Sequence, residues 1–254
     1  MKLATWNVNS LKVRLPHVLD WLAENPIEVL CLQETKQQDV DFPQAELLAA
    51  GYHSVFIGQK TYNGVAILSR TPASDVQIGI PDFEDEQRRV IAATFGEIRV
   101  VDVYIPNGSE VDSDKYHYKL KWLTALHNWL AQELVRYPKL VLLGDYNIAP
   151  EDRDVHDPAA WVDKVLVSEP ERDAFKGLQA LGLHDSFRLF EQPEKSFSWW
   201  DYRMMGFRRN LGMRIDHILI SEPLVAQCKG CVIDKAPRKL ERPSDHTPVV
   251  VELL

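Results

Sequence analysis

Four acidic side chains in this chain stand at the ends of apolar runs. Glu34 follows Val29-Leu30-Cys31-Leu32-Gln33, Asp145 follows Leu140-Val141-Leu142-Leu143-Gly144, Asp216 precedes His217-Ile218-Leu219-Ile220, and Asp245-His246 leads into Thr247-Pro248-Val249-Val250-Val251. Asn7, Asn9 and Asn147 occupy comparable places. Carboxylates brought together repel unless a cation joins them. Oxygen donors of this kind suit a hard divalent ion, above all Mg²⁺, which binds through one or two carboxylates plus substrate phosphate. A hard cation, a histidine beside a carboxylate and cationic loops together describe a phosphodiesterase centre. Each fragment alone has a plainer reading: Gly144-Asp145-Tyr146-Asn147 is also what a capped turn looks like, since Asp and Asn bond their own backbone.

The elements that must position these groups alternate short strands with helices. Leu3 to Asn9 opens as a strand, and a helix follows with Pro16 in its first turn and Leu15, Val18, Leu19 and Leu22 on one face. Val29 to Gln33, Phe56 to Gly58 and Val65 to Leu68 read as strands, with Asn63-Gly64 as a hairpin-turn signal. Further strands are expected at Arg89 to Phe95 and Ile98 to Tyr104, then a long helix from about Asp114 to Val135. Ser168-Glu169-Pro170-Glu171 is a capping box for a helix striped by Phe175, Leu178 and Leu181 and ended by Gly182. The last strands are read at Arg214 to Ile220 and Thr247 to Glu252. The absence of a strict βαβ repeat favours two packed sheets flanked by helices over a singly wound parallel sheet.

Length and charge bound the function. A chain of 254 residues with 45% hydrophobic content and no compositional break is expected to form a single domain, residues 1–254. The first residues run straight into a strand pattern, and no apolar run reaches membrane-spanning length, so the expectation is a soluble, cytoplasmic protein. Three cysteines argue against a disulfide framework; Cys228-Lys229-Gly230-Cys231 has redox or zinc spacing but no second ligand pair. Net charge is −8, which alone argues mildly against nucleic acid. The distribution says otherwise. Between Lys195 and Arg214, Arg203, Arg208 and Arg209 are interleaved with Phe197, Trp199, Trp200, Tyr202 and Phe207, a composition suited to phosphates and bases. Lys235 to Arg242 and the trio Lys115, Lys119 and Lys121 form two more basic clusters. The plainer reading of all three is a solvated face.

Six fragments, in order and spacing, carry a resemblance: Thr5-Trp6-Asn7-Val8-Asn9, Leu32-Gln33-Glu34-Thr35-Lys36, Tyr104-Ile105-Pro106-Asn107-Gly108, Leu143 to Pro150, Arg214-Ile215-Asp216-His217 and Pro243 to Val249. Together they closely resemble the signatures of the exonuclease III family of DNA-repair nucleases, over the whole chain. Single pieces recur across the wider superfamily that includes DNase I, but Ser198-Trp199-Trp200-Asp201-Tyr202-Arg203 narrows the match. The resemblance implies a four-layer, DNase I-like α/β sandwich of two mixed sheets, and dependence on Mg²⁺ or Mn²⁺. It also implies cleavage of duplex DNA 5′ to abasic sites and 3′→5′ exonuclease and 3′-phosphatase activities in base excision repair. The implied substrate is double-stranded DNA with abasic sites or damaged 3′ ends, met by a monomer.

Carried over by position, Glu34 is the chief metal ligand. Asn7, Asn147, Asp245 and His246 share the metal's surroundings with Asp145, and Asn9 stands beside them on the substrate side. Asp145 orients or deprotonates the attacking water, and Asp216 orients His246, whose role as base or as cation stays open. Tyr104, Asn107 and Asn147 bond phosphate oxygens, and Trp199 lines the pocket for an extrahelical sugar. Tyr62, Arg89, Arg203, Arg208 and Arg209 approach the DNA. Two alternatives stand beside this reading. A phosphatase for a small phosphate ester would share the metal centre but have little need of the basic aromatic loop. A catalytically dead binding module should have lost a metal or histidine position, and none is lost.

Overall fold

Neighbouring residues of one strand enter different cores, and that alternation sets the layers. In Lys2–Asn7 (β1), Leu3 faces a core shared by two sheets while Ala4 and Trp6 face the opposite side. In Val29–Gln33 (β2), Val29 and Cys31 go inward and Leu30 and Leu32 outward. Burial on both faces makes such strands read as unbroken apolar runs.

The computed structural model describes every residue from Met1 to Leu254. The other strands are His53–Ile57 (β3), Val65–Ser69 (β4), Ser74–Ile78 (β5), Val90–Phe95 (β6), Ile98–Tyr104 (β7), Leu140–Asp145 (β8), Leu183–Asp185 (β9), Trp199–Trp200 (β10), Gly212–Met213 (β11), Asp216–Ser221 (β12), Cys228–Ile233 (β13) and Val249–Leu253 (β14). One six-stranded sheet has the order β13-β14-β1-β2-β4-β3 and the other β5-β6-β7-β8-β12-β9. The helices are Leu11–Glu24 (α1), Gln44–Ala49 (α2), Asp114–Arg136 (α3), the short Pro158–Trp161 (α4), Glu169–Ala180 (α5) and the short Glu222–Val225 (α6). Helices α1 and α2 cover the first sheet through Leu11, Val18, Leu22 and Leu47; α3 and α5 cover the second through Trp122, Leu126, Leu130, Phe175 and Leu178. The expected four-layer α/β sandwich is the fold. No helix is long and apolar enough to cross a membrane.

Each sheet holds one parallel pair, β1 with β2 and β7 with β8, bridged by α1 and α3 respectively. Parallel pairing brings both carboxyl ends to the same edge. In the second sheet Tyr104, Asp145 and Asp216 lie side by side in register, because β12 runs antiparallel to β8. In the first, β14 runs antiparallel to β1, so the segment before Val249 reaches the same edge as Asn7. A slip of one residue would turn these side chains to the other face.

Several sequence expectations are corrected. Pro16 lies in the second turn of α1, since the helix begins at Leu11, whose N–H is tied to the Thr35 carbonyl. Gly144 does not bend the chain out of its strand but continues it. A Cβ there would stand 1.9 Å from the Val103 carbonyl oxygen, so only glycine allows this approach. Asn63-Gly64 is not a two-residue hairpin turn: β3 and β4 pair up to Ile57 and Val65, and residues 58–64 form the connection. There Gly64, at φ 92, packs its backbone against Thr35, whose Oγ1 a Cβ would meet at 2.1 Å. The strand expected from Arg214 starts at Asp216. Cys228 and Cys231 are free and sit on the edge strand β13, with Cys231 in the inter-sheet core.

Candidate active site

The buried centre begins with Asn7 at the end of β1. Its Nδ2 donates to Glu34 Oε1 at 2.9 Å and to Asp145 Oδ2 at 2.8 Å, so one amide joins carboxylates from two sheets. Its Oδ1 is turned away and accepts from the Asn9 backbone N–H. Glu34 leaves β2 at φ 52, a conformation uncommon for a residue with a side chain, and this turns its carboxylate toward Asp145. Lys36 Nζ lies 2.9 Å from Glu34 Oε2 and donates to Asn9 Oδ1 at 2.6 Å.

His246 closes the centre from the other side. Its Nδ1 is 2.9 Å from Asp216 and its Nε2 is 3.7 Å from Asp145 Oδ2. Ser198 Oγ donates to Asp216 Oδ2 at 2.6 Å and accepts from the Asp216 N–H, which fixes that carboxylate. Burial works against charge on the imidazole, but Asp216 and Asp145 outweigh it and push its pKa up to about 10. The Asp145 carboxyl is pushed up to about 7, first by burial, against the pull of His246 and with the repulsion of Asp216. One oxygen each of Glu34 and Asp145 and a nitrogen of His246 fall within 4.8 Å of one another. Two hard carboxylate oxygens this close together, whose mutual repulsion a cation would relieve, fit a hard divalent ion.

Phenol and amide donors stand next to this cluster. Tyr104 faces Glu34 from the end of β7, and burial, then the Glu34 and Asp145 carboxylates, raise its phenol well above the ordinary value, so it stays protonated and can act as a hydrogen-bond donor. Asn107 Nδ2 donates to Asn147 Oδ1 at 3.0 Å, and Asn147 Nδ2 donates to the Ile105 carbonyl at 2.9 Å. Each amide keeps a second N–H. Tyr62, Arg89, Tyr104, Asn107 and Lys115 line an open groove of about 530 Å³.

The aromatic loop is stitched to the histidine segment. Trp199 pairs with His246 as an isolated bridge, Trp200 N–H donates to the Asp245 carbonyl and Thr247 N–H to the Ser198 carbonyl. Asp245 lies outside the Glu34, Asp145 and His246 group. Its Oδ1 accepts from Asn9 and its Oδ2 from the Trp199 indole, both at 3.0 Å. Phe197 and Trp200 are fully buried, so two of the five aromatics are core rather than docking surface. Arg203 is tied to Asp201, while Arg208 and Arg209 are exposed. Arg238, read as part of a solvated cluster, is buried over Trp200 and Phe207 and donates to the Ser244 carbonyl.

Sequence reasoning missed Ser198, Lys36 and Lys119. Ser198 and Lys36 lie within the aromatic-loop and strand-end motifs, but their partners are distant in sequence. Lys119 was assigned to a surface cluster and is fully buried instead.

The endonuclease/exonuclease/phosphatase family model matches residues 4–246. Exodeoxyribonuclease III of Haemophilus influenzae is 36% identical, over 99% of both chains. Among solved structures, a 3′ phosphatase, NExo, from Neisseria bound to product DNA hairpin superposes with a TM-score of 0.98 at 50% identity, covering 100% of this chain and 99% of that one. An AP endonuclease from Archaeoglobus fulgidus superposes with a TM-score of 0.96 at 41% identity, with the same coverage. With its carboxylates, imidazole and amide and phenol donors gathered where the ends of the two sheets meet, the chain belongs to the endonuclease/exonuclease/phosphatase family and, within it, to the exodeoxyribonuclease III nucleases.

Proposed function

We propose that the protein acts as a monomer on duplex DNA, removing blocking groups and nucleotides from damaged 3′ ends and incising 5′ to abasic sites, with Mg²⁺ as its cofactor. The observation that carries this reading is the buried His246 imidazole between Asp216 and Asp145, opening beside the Tyr104, Asn107 and Asn147 donors. Placed between two buried carboxylates that favour its charged form, the imidazolium has no lone pair to offer. His246 is therefore the positive hydrogen-bond donor to the phosphate, and Glu34 and Asp145 are the residues that would hold the cation. Mg²⁺ there would polarise a phosphoryl oxygen and offset charge gathering on the phosphate.

Asp145 is the base. Burial raises its affinity for a proton above that of an ordinary carboxylate, and its Oδ1 is oriented toward the site by the Asn147 N–H at 2.9 Å. Tyr104, Asn107 and Asn147 hold the phosphoryl oxygens so that the water attacks in line. Greater identity to the protein described as a 3′ phosphatase than to the AP endonuclease, 50% against 41%, supports 3′-end processing as the larger activity.

The test offers the purified protein three duplexes: a nick carrying a 3′-phosphate, an internal abasic site and a recessed normal 3′ end. The expected order of rates is 3′-phosphate first, with abasic incision measurable and all activity lost in EDTA. Turnover of a small generic phosphate ester at a rate matching the DNA substrates would favour the small-ester phosphatase instead.

A further inference from the structure

Lys119 is the one lysine with no exposed surface, although Lys115 and Lys121 on the same helix are exposed. A buried ammonium is costly unless every proton finds a partner. Here each does. Nζ donates to the Asn147 carbonyl at 2.7 Å, to the Asn107 carbonyl at 3.1 Å and to Glu171 Oε1. Glu171 is itself saturated: Oε1 also accepts from the Leu166 N–H, and Oε2 from the N–H and Oγ of Ser168, the cap of α5. The two carbonyls belong to connections that follow different strands, β7 and β8, yet the side chains of the same two asparagines bond each other at 3.0 Å. Asn147 also holds a positive φ of 49, so its backbone needs outside support.

We infer that Lys119 is a positioning residue for phosphate binding. Its ammonium clamps the backbone of Asn107 and Asn147 so that their amides face the substrate in one geometry, and Glu171 anchors the clamp to the cap of α5. A structural filler would need only the aliphatic stem. The charged tip serves the two carbonyls. The inference rests on the reading that Asn107 and Asn147 bond the scissile phosphate.

Three variants test it: Lys119→Met, Glu171→Gln, and the pair together, which leaves no unpaired charge buried. Each is assayed for release of phosphate from a nicked duplex and for DNA affinity in EDTA, with and without Asn147→Ala. The paired variant is expected to lose at least about 10-fold in kcat with Kd for DNA changed less than about twofold, and Glu171→Gln to fall in between. In the Asn147→Ala background the same change should cost under about twofold more, because the group it positions is gone. A folded paired variant with native kcat, or an equal loss with and without Asn147, would overturn the inference. Failure of all three variants to fold cooperatively would overturn it too, since the pair would then be part of the core. Native kcat in Asn147→Ala alone would instead refute the role given to the asparagines, whatever Lys119 does.

Discussion

His246 Nδ1 lies 2.9 Å from the Asp216 carboxylate, and both side chains are buried. The carboxylate favours the charged imidazole, so its removal must lower the pKa that now stands at about 10. In Asp216→Asn the alkaline fall in activity should therefore begin at lower pH than in the native enzyme, with a loss of roughly 100-fold near neutrality. A single-turnover pH profile of both proteins checks this. An alkaline limb at the same pH in both would separate Asp216 from the titration of His246.

Glu34 holds Asn7 and Lys36 and stands within reach of Asp145. Glu34→Gln keeps the size and one of the two acceptors used by Asn7 and Lys36, but removes a charge that would bind the cation. Its activity should fall by at least about 100-fold at ordinary Mg²⁺ and recover in part at raised Mg²⁺ or Mn²⁺. Full activity of this variant at ordinary metal concentration would remove Glu34 from the metal site.

Arg208 and Arg209 are exposed and form no salt bridge, in contrast to Arg203, which is held by Asp201. Replacing both by alanine should weaken binding to abasic and intact duplexes equally and lower the slope of log affinity against log salt by up to about 2. Titrations at three salt concentrations measure it. A loss confined to the abasic duplex would mean that these arginines read the lesion rather than the backbone.

His217 is buried between Arg214, which donates to its Nδ1 at 3.0 Å, and the Ile148 carbonyl at 2.8 Å from its Nε2. Burial first, and Arg214 second, push its pKa from 6.5 down to about 4. The folded state thus refuses a proton that the unfolded chain accepts, and stability is lost as pH falls from 6.5 towards 4, by about 3 kcal/mol in all. Denaturant unfolding of the native protein and His217→Gln at pH 7 and pH 4.5 should show the gap between them narrowing on the acid side. A gap independent of pH would contradict the assignment.

The strand ends were legible because double burial leaves an unmistakable apolar run, and a polar residue at its close has to go somewhere. Glu34, Asp145, Asp216 and His246 are legible that way; the register of β8 and β12 aligns Asp145 with Asp216, and that of β14, β1 and β2 brings Glu34 and His246 up from the other sheet. Edge strands left no such mark. Ser74–Ile78 is largely exposed, so β5 has no apolar face to read, and Cys228–Ile233 carries Gly230 at a register shift. Lys119 was misplaced for a different reason: its partners at positions 107, 147 and 171 are distant in sequence, and two of them are backbone carbonyls that no side-chain pattern reveals. The aromatics of the basic loop divide by the same limit, since only packing tells that Trp200 is fully buried while Trp199 stays partly exposed with its indole on Asp245.

The central claim is that Asp145 handles the nucleophile, and the direct measurement is the affinity and the cleavage rate of Asp145→Asn on one nicked 3′-phosphate duplex in the same Mg²⁺ buffer. The Asn147 N–H can still bond the amide oxygen, and only the bond from Asn7 Nδ2, which would then face an NH2, is lost, so the local fold should survive. The expected result is DNA binding within about threefold of native, since phosphate contacts elsewhere supply most of the affinity, and cleavage reduced by at least about 1000-fold. Cleavage and binding falling together would contradict the account and return Asp145 to the status of a turn residue.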